Sequence, residues 1–129
     1  MIDFQFEILQ STVPILWEGT LVTLRIAAVS FVIALLIGVV VGITRSSSPR
    51  FFLVFSPYVE IFRGTPLLIQ LFFIYYGLPT IGIQMDSSTA AYIGLGLNGG
   101  AYISEIIRGS LIAVDRGQQA ASAQRRVSF

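Results

Sequence analysis

The stretch IAAVSFVIALLIGVVVGI at residues 26–43 carries no charge, and Ser30 is its only polar side chain. Eighteen helical residues rise about 27 Å, close to the hydrocarbon thickness of a bilayer. Residues 21–24 can lengthen the run, with Arg25 snorkelling toward one headgroup layer. A cleaved leader would place positive charge before a shorter apolar core, whereas Asp3, Glu7 and Glu18 precede Arg25 here. The stretch reads as a membrane span, and the chain as an all-α membrane protein.

Two further spans follow outward from it. Residues 44–50, TRSSSPR, form a polar turn with Arg45 and Arg50 and no acid. The next apolar block, LLIQLFFIYYGL at residues 67–78, makes only about 18 Å of helix. To cross, it must reach back through Pro66, Arg63, Glu60 and Pro57, giving a second span over about 54–78. A third, over about 89–107, is rich in Gly and Ala, with Asn98 at its middle. Gly96 and Gly100 lie four apart on one face and invite close approach of another helix. Segments 44–50 and 108–129 hold six Arg between them, while 1–20 and 79–88 hold four acids and no base. Alternating crossings then put the N-terminal segment 1–20 outside and the Arg-rich tail in the cytoplasm.

Composition agrees. The chain has 129 residues, 54% hydrophobic and 12% charged, too few charges to clothe a soluble domain. A net charge of +1 argues against nucleic acid as a partner. With no Cys and no His, no thiolate or imidazole metal site is expected, and the usual general base is missing. No Lys is present either, so a Walker A loop cannot be built from this chain. No cofactor and no catalytic residue is expected. None of the three Asp residues falls in a span, so an intramembrane protease is not assembled.

Four stretches, taken in order, carry a resemblance. These are WEGTLVTL at 17–24, EIFRGTPLLIQ at 60–70, YYGLP at 75–79 and GAYISEIIRGSLIAVDRGQ at 100–118. Together they resemble the permease subunits of polar amino-acid ABC importers. The resemblance implies a type I importer fold of about five spans, each needing about 20 residues. It implies a location in the bacterial inner membrane and a second permease subunit, identical or different. It also implies ABC ATPase subunits, a periplasmic amino-acid-binding protein, and a cytoplasmic coupling loop that docks the ATPase. Where that loop reads GQxEAAxALG in the family, residues 117–126 read GQQAASAQRR. The chain is thus expected to be a truncated permease holding three spans and a partial coupling loop at 108–129. The alternatives are a remnant that inserts without transporting, and a small oligomeric pore or structural membrane protein.

Several residues stand out as candidates. Glu60 and Arg63 share a helix face and can pair, either as an interfacial ion pair or as part of the pathway or subunit interface. Gly64, Thr65 and Pro66 carry the signature and should break the helix, as a hinge or a plain bend. Asn98 is either an interhelical hydrogen-bond donor or a polar lining group. Glu105 and Arg108 repeat the acid–base spacing of Glu60 and Arg63. With Gly117, Gln118, Ala120 and Ala121 they form the segment that the resemblance assigns to ATPase coupling.

Overall fold

The computed structural model describes residues 2–127, and every regular element in that range is helical. Helix α1 spans Ile2–Ser47, α2 Pro49–Gly64, α3 Leu67–Phe72 and α4 Ser87–Val127. Between α3 and α4 lie a π-helical turn, Phe73–Gly77, and a 3-10 turn, Leu78–Ile81.

Helix α1 is one continuous helix of 46 residues, about 69 Å, in which residues 2–20 lead without a break into the apolar run. By length and apolarity α1 can cross a bilayer alone. The second expected span is two helices: Pro49–Gly64 and Leu67–Ile81 qualify for crossing only together, and they meet at 107°. The third expected span lies inside α4, whose Gly-rich, polar-dotted sequence is less apolar than α1 and which runs on unbroken to Val127, inside the expected coupling loop.

The α1–α4 contact organises the molecule. A Cβ on Gly96 would strike Ile33, one on Gly100 would strike Ile37, and those on Gly38 and Gly42 would strike Ile103 and Ile107. Isoleucine knobs from each helix therefore fill glycine notches on the other. The paired numbers rise together, so α1 and α4 run parallel. Parallel neighbours need a return connection, and α2 and α3 supply it. Helix α2 packs Val59, the least exposed of its residues at 1%, against Val41 and Ala101, with Tyr58 and Phe62 beside them. Helix α3 sets Leu71 and the following Ile74 over Gly94. The far face of α1 is left apolar and bare, with Phe31, Val32, Leu35, Leu36 and Val40 all exposed. That is the surface expected where the solvent is lipid rather than water.

The connection to α4 has its own local chemistry. The Leu78 N–H bonds the Phe73 carbonyl five residues back, widening the turn just before Pro79. The 3-10 turn ends on Gly82 at φ +89, a left-handed position that suits glycine. Asp86 then caps α4, its Oδ2 accepting from the Thr89 N–H at 3.3 Å and its Oδ1 from the Thr89 hydroxyl.

Candidate functional site

The break after α2 begins with one missing hydrogen. Pro66 has no N–H, so the carbonyl of Phe62, four residues earlier, loses its helical partner. Two side chains replace it. Gln70 Nε2 donates to Phe62 O at 2.9 Å and also reaches Thr65 O at 3.0 Å and Thr65 Oγ1 at 2.8 Å. Asn98 Nδ2, from α4, donates to the same Phe62 carbonyl at 3.0 Å and to Gln70 Oε1 at 3.1 Å. The exposed backbone of a broken helix is thereby paired inside the protein, as a low-dielectric surrounding demands. Thr65 closes α2 with its N–H on Ile61 O at 3.1 Å.

A second polar cluster lies where α1, α2 and α4 meet. Arg45 is 6% exposed, yet charged. Its Nη1 donates to Glu105 Oε2 at 2.9 Å, and its Nη2 to Ser56 Oγ at 3.1 Å. Its guanidinium lies 5.0 Å from the centre of the Phe52 ring, and Arg108 lies 4.7 Å from the same ring. Arg63 approaches the same carboxylate oxygen of Glu105 at 3.9 Å and rests against Tyr102, 5.6 Å from its ring centre. Above the cluster, Tyr58 donates its hydroxyl to Leu97 O at 2.6 Å, tying α2 to α4.

These contacts redistribute the charges expected from the sequence. Glu60 and Arg63 do not pair: Glu60 is exposed with no ion pair among the described residues, and Arg63 turns to Glu105. Glu105 and Arg108 do not pair either. Both corrections have one cause. Spacing along a helix offers a neighbour at i+3, but packing of α1 and α2 against α4 presents Glu105 to Arg45 and Arg63, and Phe52 to Arg108.

The remaining candidates fall into three groups. Gly64, Thr65, Pro66 and Asn98 converge on the break, and Gly96 and Gly100 lie under α1. Gly117, Gln118, Ala120 and Ala121 stand exposed on the last turns of α4, where a Cβ on Gly117 would meet nothing within 4 Å. The sequence reading passed over Arg45, Ser56, Tyr58 and Gln70. Gln70 was detectable as the lone amide in an apolar block four residues after a proline. Arg45 carried no such signal, because a turn arginine is ordinarily solvated.

The comparisons with known proteins cover this same region. The family described as binding-protein-dependent transport system inner membrane component matches residues 34–128. The arginine transport system permease protein ArtQ of Bacillus subtilis is 41% identical over 99% of this chain and 58% of its own length. The putative glutamine transport system permease protein GlnP of Rickettsia bellii is 45% identical over 78% of the chain and 47% of its own. The L-cystine transport system permease protein TcyB of Bacillus subtilis is 42% identical over 84% and 47%. The crystal structure of an amino acid ABC transporter with histidines superposes with a TM-score of 0.80 at 37% identity, over 90% of this chain and 55% of that one. The chain spans about half the length of the curated relatives it matches.

Proposed function

Because this chain belongs to the family of binding-protein-dependent transport system inner membrane components, we propose that it walls part of the translocation pathway of an ABC importer for polar amino acids. The observation that carries the reading is coincidence in position. The match over 34–128 contains both polar clusters, from Arg45 to Glu105. The relative named for arginine transport aligns over 99% of the chain and so across both.

In this reading the chain performs no chemistry. ATP is hydrolysed by partner ATPase subunits, and a periplasmic binding protein delivers the amino acid to a pathway shared with a second permease subunit. Glu60, Arg63, Gly64, Thr65, Pro66 and Asn98 belong to that pathway or to the subunit interface. A broken helix places non-helical backbone inside the protein and away from lipid, which suits a segment that lines a pathway. Gly117, Gln118, Ala120 and Ala121 are the surface offered to the ATPase. Glu105 and Arg108 lie nearer the bundle, where they could relay a push on the end of α4 to α2. The N-terminus lies outside and the end of α4 in the cytoplasm.

The test is a chimera. The segment of ArtQ that aligns with this chain is replaced by it in Bacillus subtilis, and uptake of labelled arginine, glutamine and cystine is followed. Energy-dependent uptake of at least one of the three is expected. A chimera that reaches the membrane at normal levels, assembles with its ATPase and transports none of them would refute the reading.

A further inference from the structure

A groove of about 400 Å³ opens at the α1–α2 turn, outside the pathway candidates. Its walls are Arg45, Ser48 and Phe52 on one side and Arg108, Leu111 and Asp115 on the other. The charges around it do not balance. Glu105 is shared by Arg45 and Arg63, and Arg108 has no carboxylate within ion-pair distance among the described residues. What Arg108 has instead is the face of Phe52. Arg45, behind that ring, is 6% exposed and keeps its Nε without a partner. The positive end of α2 points to the same place, with Ser48 as its cap. Asp115 lines the outer end of the groove, two helical turns and about 10 Å along α4 from Arg108.

The groove also sits at a particular depth. Arg45 follows the apolar run of residues 26–43 by less than one turn, so the site lies at the edge of the hydrocarbon whichever way the chain is oriented. A half-covered arginine at that depth needs a counter-charge. Phe52, Leu111 and Ile112 add apolar surface to the groove, Leu111 and Ile112 about one turn beyond Arg108 on the side away from the apolar run.

We infer that this groove binds the phosphate headgroup of an anionic phospholipid, with Arg108 as its principal ligand. The inference rests on the family's membrane location and not on transport. Arg108 engages the phosphodiester, the N-terminus of α2 adds its dipole, and Arg45 contributes fixed positive charge from behind Phe52. Asp115 opposes the headgroup and limits its affinity.

The experiment is native mass spectrometry of the whole chain, purified in neutral detergent and titrated with phosphatidylglycerol, phosphatidylcholine, inorganic phosphate or an acidic peptide. Preferential retention of phosphatidylglycerol is expected. Arg108→Gln should lower it about fivefold and Asp115→Asn should raise it by a similar factor, while Arg50→Gln, altering an exposed arginine outside the groove, leaves it unchanged. Equal retention of phosphatidylcholine would overturn the proposal, as would displacement by inorganic phosphate at the same concentration or a preference for the acidic peptide. If Arg108→Gln loses helicity, Asp115→Asn decides: no gain in retention would sink the assignment.

Discussion

Gln70 and Asn98, on α3 and α4, donate to one carbonyl, that of Phe62, at 2.9 and 3.0 Å. The carbonyl is available because Pro66 cannot donate to it, so a single imino acid creates the break and calls for the two amides that hold it. The 107° bend between α2 and α3 is therefore fixed by a small polar cluster and is not a loose joint.

Removing either amide should soften the bend. Gln70→Leu and Asn98→Leu are each expected to destabilise the detergent-solubilised chain by about 1–2 kcal/mol, the range for leaving a buried acceptor underserved. The double variant should lose more than the sum, since the first loss is partly covered by the other donor. Thermal unfolding of the four proteins measures this, and strict additivity would contradict the shared-acceptor geometry.

The Arg45–Glu105 pair makes a different prediction. Glu105→Gln leaves a buried guanidinium without its anion, and a loss of about 2–3 kcal/mol is expected, somewhat below that for a fully buried pair because Glu105 is partly exposed. Replacing both residues by Met should recover most of the loss. Denaturant titration of the single and double variants is the check.

Glycine substitutions should divide by position. Gly100→Leu must displace Ile37, whose Cγ2 lies 2.8 Å from the added Cβ, and should separate α1 from α4. Cysteine crosslinking between α1 and α4 would report the separation. Gly117→Ala meets nothing within 4 Å and should strengthen α4 by about 1 kcal/mol of helix propensity.

Asp86 gives a pH signature at the start of α4. The hydroxyl and N–H of Thr89 hold its carboxyl below the ordinary value of 3.8. A depressed carboxyl stabilises the fold fully above that ordinary value, and the contribution is lost as pH falls through the lowered native one. Amide exchange at residues 87–90 should accelerate across that acidic window. Asp86→Asn should flatten the dependence, and an unchanged profile in the variant would remove the cap from the explanation.

Sidedness can be read with labels. Parallel packing puts Ser47 and the C-terminal part of α4 at the same end of the pair. Cysteines near Asp3 and Asp86 should react with a periplasmic reagent, and those at Ser47 and Ser122 with a cytoplasmic one. Ser47 and Asp86 labelling from the same side would exclude the arrangement.

By itself the sequence determined the solvent and the family. An uncharged run of bilayer length, few charges, and glycines four apart at Gly96 and Gly100 are local facts, and they suffice for an all-α membrane chain. The helix break was legible too, since Pro66 acts on its own backbone. Helix ends were not, because nothing local tells α1 to run unbroken through Pro14 or α4 to continue through Ala120 and Ala121. Only the tertiary structure decided the partners. Spacing proposed Glu60 with Arg63 and Glu105 with Arg108, but the packing of α1 and α2 on α4 brought Glu105 to Arg45 and Arg63, and Phe52 to Arg108. A charge takes the best counter-charge within reach, and in a packed bundle that reach crosses between helices, where one-dimensional spacing carries no information.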